Sequence, residues 1–193
     1  MTATRRLVHA ALILLCAWPP LAWAESIGER LVPCYSCHGD NGQSFNPDTP
    51  SLGAQPAPYV LIQLYLFREK LRRVELMNEA VKRFTDDDLR AFANTLARLP
   101  PPPATAGTAD PARMARGQVL IHQHRCNVCH NANLAGRDNV PRIAGQREDF
   151  LVKTMREYKA NIRPGYDASM GDVLQPVSDA ELVDLAYFSA RQP

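Results

Sequence analysis

The pattern Cys-x-x-Cys-His occurs twice in this sequence, at 34–38 and at 126–130. It is typical of the covalent attachment of haem c. Two thiols add to the vinyl groups on one edge of a porphyrin, and the histidine that follows can place a ring nitrogen on the iron. The side chains predicted to hold two haem c groups are therefore Cys34, Cys37, His38, Cys126, Cys129 and His130.

The same cysteines allow three other interpretations. A four-cysteine zinc site would require the two pairs to converge across 88 intervening residues. Thioredoxin-type motifs would require a βαβ context, which the sequence does not indicate. Disulfides within each pair would suit an oxidising compartment. None of the three gives a role to the histidine after both pairs, so haem attachment is favoured.

Residues 1–24 have the pattern of a secretory signal peptide. Two arginines precede a short apolar run, and an Ala-Trp-Ala cleavage site stands at 22–24. A retained membrane anchor is the alternative, but the run is short for a hydrocarbon layer of about 30 Å, and two prolines end it. We expect cleavage after about Ala24 and a periplasmic protein.

The charge balance does not favour binding to nucleic acid. The chain has 22 basic and 20 acidic residues, and the leader contains two of the basic ones. Proteins that bind nucleic acid depend on a basic footprint, which this balance does not provide. A local basic cluster at 70–73 and 82–83 is interpreted as a solvated face. A docking patch or a contact to haem propionates is the alternative.

The rest of the chain repeats at nearly the interval of the cysteine motifs. The motifs are 92 residues apart, and the pattern Pro-x-Leu/Ile-x-x-Gln recurs after 91 residues, at 50–55 and 141–146. This repetition indicates two copies of one module. The predicted division is domain 1 at 25–100, a proline-rich linker at 101–109 and domain 2 at 110–193.

Each module is predicted to be all-α. Apolar residues recur at helical spacing after the caps Thr85 and Ser178. Middle helices are expected at 59–71 and 150–162. A helix at 112–124 is expected to lead into the second cysteine motif, and a shorter turn near 27–32 into the first. A module of about 80 residues is small for a core, and a haem at its centre would supply apolar surface.

Methionine is the candidate for the sixth ligand of each iron. Met77 is the only methionine of domain 1 and follows His38 by 39 residues. Met170 follows His130 by 40 and is predicted to lie in a loop just before the last helix. Ligation by Met and His raises the reduction potential of a c-type haem. Met77 could instead continue a helix and be merely buried. Met155 falls inside a predicted helix and is interpreted as a core residue.

Two prolines and two further histidines complete the candidates. Pro50 and Pro141 follow the motif histidines by 12 and 11 residues. A metal-bound histidine commonly donates its other ring N–H to a backbone carbonyl, so each proline either supplies that carbonyl or is an ordinary loop residue. His122 and His124 are interpreted as surface or propionate-side histidines.

These motifs, taken in order, resemble those of the dihaem cytochrome c4 family. The resemblance covers nearly all of the chain after the leader and is best in domain 2. It implies two tandem class I cytochrome c domains packed face to face, each wrapped around a covalently attached haem c. The iron ligands that it implies are His38, Met77, His130 and Met170. It also implies that the carbonyls of Pro50 and Pro141 orient the two histidines.

Domain 1 departs from the family pattern in three places. Gly53 and Ala54 reverse the order of Ala144 and Gly145. Residues 70–73 stand where the family usually has glycine. The segment around Met77 lacks the usual second methionine or proline. These departures concern the first distal ligand and leave haem attachment untouched.

The resemblance implies an electron carrier rather than an enzyme, because a haem with six ligands has no open site for substrate. It would carry electrons from a quinol-oxidising complex or a dehydrogenase to a membrane terminal oxidase. Peripheral association with the membrane would then occur through the partner. The first alternative is an electron-accepting subunit of a dehydrogenase, such as a flavocytochrome sulfide dehydrogenase. The second is a small dihaem oxidoreductase with one open distal position.

Overall fold

The computed structural model describes residues 25–163 and 169–193, so the predicted signal peptide lies outside it. These described residues form nine α-helices, and their only bridge of β type is isolated, between Arg137 and Val140. The all-α prediction is confirmed. The helices are α1 (Ile27–His38), α2 (Ala57–Arg68), α3 (Glu75–Val81), α4 (Asp86–Ala97), α5 (Pro111–Gln123), α6 (Cys126–His130), α7 (Glu148–Lys159), α8 (Ser169–Leu174) and α9 (Asp179–Ala190).

Each half of the chain has a core of its own. In the first half α4 packs against α1 and α2, and α3 packs against α2. In the second half α9 packs against α5 and α7, and α8 packs against α7. Buried apolar side chains such as Leu31 and Phe92 fill the first core, and Leu134 and Leu182 the second. Among the described residues, the principal helix pairs all lie within one half.

Side-chain caps set the beginnings of four helices. Thr85 and Ser178 form complete capping boxes at α4 and α9, and Asp110 accepts two backbone hydrogen bonds at the start of α5. Ser26 and Glu29 form a further box at α1. Each box satisfies backbone N–H groups that have no partner inside the helix, so the helices begin at these residues.

The first cysteine motif lies in a longer helix than expected. The predicted short turn at 27–32 is wrong, because α1 continues through Pro33 to the end of the motif. In the second half Arg125, with a φ of 58°, separates α5 from α6. The motif is therefore helical in both halves, although the helix that leads into it differs.

Both middle helices begin two residues and end three residues before the predicted positions. Lys70 and Asn161 follow their ends in the left-handed conformation, with φ values of 57° and 54°. This conformation stops a right-handed helix.

The predicted linker, together with Pro100 just before it, passes closely over both Pro-x-Leu/Ile-x-x-Gln loops. A Cβ atom on Gly53 would lie 2.1 Å from the carbonyl oxygen of Pro100, and one on Gly145 would lie 2.4 Å from that of Pro102. Ala54, at the position that corresponds to Gly145, has a φ of 53°. The reversed order in domain 1 thus follows from the close passage of the linker over Gly53.

None of the helices in the described part of the chain has the length and apolar character needed to cross a bilayer.

Candidate haem sites

The two motif histidines are buried and have equivalent partners. Nδ1 of His38 lies 2.9 Å from the carbonyl oxygen of Pro50, and Nδ1 of His130 lies 2.8 Å from that of Pro141. A carbonyl oxygen can only accept, so Nδ1 carries the proton and Nε2 keeps a lone pair. Burial lowers the pKa of both histidines, which favours the neutral ring that binds a metal.

None of the four motif cysteines forms a disulfide with another described residue, and each pair lies on one helix beside its histidine. Cys34 and Cys126 are half-buried, whereas Cys37 and Cys129 are exposed. Burial raises the pKa of the Cys34 and Cys126 thiols. Residues three and four apart on a helix share a face, so both thiols and the imidazole of each motif lie on the same side. In the described ranges no three His, Cys, Asp or Glu side chains converge as a metal site.

The methionines predicted as distal ligands occupy equivalent positions in short helices. Met77 lies in α3 and Met170 in α8, and each is partly buried against the core of its own half. The prediction of a loop at Met170 is corrected, because this residue is helical; residues 164–168 of that loop lie outside the described residues. Met155 packs in α7 against apolar core residues. The ligation of iron by Met77 and Met170 stays a prediction.

A buried asparagine that sequence reasoning missed supports the segment around Met77. Nδ2 of Asn78 donates to the carbonyl oxygens of Phe67 and Arg72 at 2.6 and 2.8 Å. Its Oδ1 accepts from the N–H of Val74 at 3.0 Å. These bonds hold α3 against the end of α2. The only signal in the sequence was a polar residue directly after the candidate ligand.

Arg72 and Arg163, which stand 91 residues apart in different halves, interact electrostatically. Arg163 is buried and its Nε has no hydrogen-bond partner among the described residues. Nη1 of Arg72 donates to Oε1 of Gln63 at 2.6 Å. The guanidinium groups lie over the rings of Phe67 and Tyr158, 4.5 and 5.2 Å from the ring centres.

Among the described residues, Glu157 is the only carboxylate within ion-pair distance of either arginine. Burial and the charge of Arg163 lower the pKa of Arg72 to about 10. The nearest carboxylate oxygen of Glu157 lies 3.5 Å from Nη1 of Arg163. The interpretation of 70–73 as a solvated face is therefore wrong for Arg72. Neighbouring buried cations require anionic partners, and the propionates of haem c are carboxylates. Arg72 and Arg163 therefore fit the propionates of haem c.

The other two histidines lie beside the second motif. His122 is exposed, and its Nδ1 lies 3.4 Å from Nδ2 of Asn127. Nε2 of His124 lies 3.5 Å from a carboxylate oxygen of Glu181. Neither contact involves the motif histidine.

The fold and the two duplicated sites define a c-type cytochrome with two haem c groups, built from tandem class I cytochrome c domains. Comparison with known proteins agrees. The chain is 27% identical to cytochrome c4 of Thiocapsa roseopersicina over 166 residues, 80% of this chain and 84% of that protein. It is 25% identical to cytochrome c4 of Azotobacter vinelandii over 175 residues, 80% of this chain and 82% of that protein. The resemblance to the dihaem cytochrome c4 family is confirmed.

Solved structures show the same fold. Reduced recombinant cytochrome c4 from Pseudomonas stutzeri superposes with a TM-score of 0.76 at 23% identity, covering 88% of this chain and all 100% of that chain. Cytochrome c4 from Acidithiobacillus ferrooxidans gives a TM-score of 0.72 at 19% identity, with 83% and 99% coverage. No protein-family profile matches the chain.

Relatives connected with thiosulfate oxidation are also similar. The thiosulfate dehydrogenase electron acceptor of Stutzerimonas stutzeri is 27% identical over 168 residues, 82% of this chain and 78% of that protein. A thiosulfate dehydrogenase structure from Marichromatium purpuratum gives a TM-score of 0.71 at 24% identity, covering 83% of this chain and 36% of that chain. Together the relatives support a dihaem cytochrome that transfers electrons.

Proposed function

We propose that this dihaem cytochrome carries single electrons in the periplasm, from a respiratory donor to a membrane terminal oxidase. The observation that carries the proposal is the duplicated proximal site, in which each buried histidine donates to a proline carbonyl at 2.9 or 2.8 Å. A neutral, fixed imidazole in each half can hold one axial position of an iron. Each half also has a methionine, Met77 or Met170, at an equivalent position, and this methionine is the candidate for the second ligand of the iron.

Each group of the chain has a defined part in this proposal. The cysteines would hold the haems covalently, His38 and Met77 would ligate one iron, and His130 and Met170 the other. Arg72 and Arg163 would offer positive charge to the propionates. When bound, haem c supplies a one-electron ferric/ferrous couple. With a histidine and a methionine as ligands, neither haem would have an open site for substrate.

The second candidate is an electron acceptor dedicated to a dehydrogenase. The similarity to the thiosulfate dehydrogenase electron acceptor of Stutzerimonas stutzeri favours this candidate. The two candidates differ in the donor. Reduction by a thiosulfate dehydrogenase in the presence of thiosulfate, at a rate well above that with a quinol-oxidising complex, would support the dehydrogenase partner. The reverse order would support the respiratory carrier.

Export is tested by mass. Cleavage of the predicted signal peptide after about Ala24 would give a periplasmic protein whose N-terminus is near Glu25 and whose mass includes two haem groups. A protein that retains residues 1–24 in the membrane fraction would contradict the periplasmic assignment.

Optical spectroscopy of the mature holoprotein tests the ligation. A pyridine haemochrome assay counts the haems, and a redox-poised spectrum records the charge-transfer band from methionine sulfur to ferric iron. Two low-spin haems with a full band would support the electron carrier. One high-spin haem, or half of the band, would show that one methionine is not bound, and would favour the oxidoreductase alternative with an open distal position.

A further inference from the structure

Two buried glutamines form crossed contacts between the halves of the molecule. Gln55 and Gln146 end the equivalent loops of the two halves, and each is almost fully buried. Oε1 of Gln146 accepts from the N–H of Ser51 at 2.8 Å, and its Nε2 donates to the carbonyl of Ser51 at 2.9 Å. Gln55 makes the same pair of bonds to Arg142, at 3.0 and 2.9 Å. Each glutamine therefore binds the backbone of the opposite half.

The backbone groups that the glutamines bind belong to the proximal sites. The N–H of Ser51 is part of the same peptide group as the carbonyl of Pro50, whose oxygen accepts from His38. The N–H of Arg142 likewise shares a peptide group with the carbonyl of Pro141, the acceptor for His130. A peptide group is planar and rigid. Its orientation is thus held at one end by the glutamine and at the other by the histidine.

A hydrogen bond to one end of a peptide group strengthens the acceptor at the other end. Hydrogen bonds in a chain polarise one another, and more strongly where water is excluded. Ser51 and both glutamines are buried. Donation from Ser51 to Gln146 should therefore make the Pro50 carbonyl a stronger acceptor. A stronger bond to Nδ1 makes the imidazole a more basic ligand, which stabilises ferric iron.

We propose that Gln55 and Gln146 are positioning residues that act across the two halves. Each glutamine fixes the orientation and the hydrogen bond of the motif histidine in the opposite half, through one peptide group. Gln146 acts on His38 and Gln55 acts on His130. Each half thereby adjusts the reduction potential of the haem that it does not hold. This inference rests on the proposed ligation of iron by the two histidines.

The competing explanation is that the glutamines only hold the halves together. Another contact between the halves separates the two explanations. Nζ of Lys153 lies 2.8 Å from Oδ1 of Asp48 on the opposite half. This pair is largely exposed and touches neither of the two peptide groups. Lys153→Ala is therefore a matched control, because it removes a contact between the halves and leaves the hydrogen bonds of both glutamines intact.

The test uses the reduced holoprotein, in which low-spin ferrous haem is diamagnetic. NMR follows the Nδ1–H signals of His38 and His130, and a redox titration follows both haems. Gln146→Leu should shift the His38 signal, speed its hydrogen exchange on the order of tenfold, as expected for one weakened hydrogen bond, and raise the potential of the first haem. The His130 signal should stay in place. Gln55→Leu should produce the mirror result, and Lys153→Ala neither.

Several outcomes would overturn the proposal. They are equal responses of both histidines to either variant, a response of the histidine in the glutamine's own half, and no response at all. If a leucine variant does not mature, Gln146→Asn and Gln55→Asn keep the amide but shorten its reach, and the same crossed pattern is required of them. Failure of the proposed ligation is separate, because the unsubstituted protein would then lack two low-spin haems.

Discussion

Met170 and Met155 lie in the same half of the molecule, yet their removal should have different consequences. Met170→Ala should open the second haem, lower its reduction potential and remove half of the methionine charge-transfer band. Met155→Ala should leave the spectrum intact. Because Met155 is only partly buried, it should cost about 1–2 kcal/mol of unfolding free energy, less than a fully buried methionine. Absorption spectra and denaturant titrations check both, and exchanged phenotypes would refute the assignment.

Asp88 should make the stability depend on pH in the acid range. A hydrogen bond from Arg30 and another from the N–H of Thr85 lower its pKa to about 2, from 3.8. A lowered pKa means that the folded state favours the carboxylate, so this stabilisation is present above the unfolded pKa and disappears as the pH falls through the folded pKa. Between about pH 5 and about pH 2, the unsubstituted protein should lose roughly 1–2 kcal/mol more than Asp88→Asn.

Asp87→Asn is the control for this effect. The side chain of Asp87 is 97% exposed, so its ion pair with Arg90 is screened by water and contributes little. Acid unfolding of this variant should match that of the unsubstituted protein. A loss of acid dependence in the Asp87 variant as large as that of the Asp88 variant would show that the Arg30 contact is not the cause.

At the scale of residues, local sequence patterns predicted the cysteines and histidines of the two motifs, but not the side chains that hold these motifs in place. The thiols and histidines could be named because their chemistry requires a fixed spacing along one helix. The bonds of Gln146 to Ser51 join residues 95 positions apart, through two loops without periodicity. The positive charges next to Arg72 in sequence favour a solvated face, whereas its guanidinium packs on Phe67 and bonds Gln63.

At the scale of elements, the left-handed residues that follow the two middle helices can be tested directly. Lys70 has a φ of 57° directly after the end of α2. A left-handed conformation costs a residue with a side chain about 1–2 kcal/mol, whereas glycine adopts it freely but loses more chain entropy on folding. Lys70→Gly should therefore stabilise the holoprotein by roughly 0.5–1 kcal/mol in denaturant unfolding.

Asn161→Gly is the matched comparison after α7. Asn161 has nearly the same φ, 54°, but asparagine tolerates this conformation better than lysine does. Its replacement should stabilise the protein less than that of Lys70. An equal gain at both positions would mean that backbone strain at Lys70 is not the source of the effect.

At the scale of elements, capping residues predicted where helices begin more reliably than apolar spacing predicted where they end. Thr85 and Ser178 cap helices as expected, and Asp110 caps α5. The length of α1 was missed because Pro33 favours a break, since proline removes one helical hydrogen bond. The box of Ser26 and Glu29 starts this helix early enough for it to continue beyond the proline.

The molecule as a whole joins its halves through loops that also support the proximal sites. The sequence predicted two modules by their repetition, but repetition alone does not say which faces meet. In the structure the N–H of Tyr59 donates to the carbonyl of Asp138 at 3.2 Å, and Nη1 of Arg147 lies 3.4 Å from the carbonyl oxygen of Ser44. These contacts flank the two Pro-x-Leu/Ile-x-x-Gln loops, which the crossed glutamines join directly. The proximal sites are therefore coupled to the contact between the halves.

The charges of Arg72 and Arg163, which come from different halves, should affect the reduction potentials of both haems. A positive charge near a haem favours the ferrous state, which carries one positive charge less than the ferric state. Arg72 and Arg163 come from different halves, and the charge of Arg163 contributes to the lowered pKa of Arg72. Replacing either arginine by glutamine should therefore lower the potentials of both haems by on the order of tens of millivolts, where 59 mV corresponds to a tenfold change for one electron.

Arg73→Gln supplies the control, because Arg73 adjoins Arg72 in sequence but is exposed. Water screens an exposed charge, so this variant should shift both potentials much less in a redox titration at moderate salt. If Arg73→Gln shifts the potentials as much as Arg72→Gln, the effect is one of net charge. If the Arg72 variant moves only the first haem and the Arg163 variant only the second, each arginine serves its own half, and the pair does not connect the two haems.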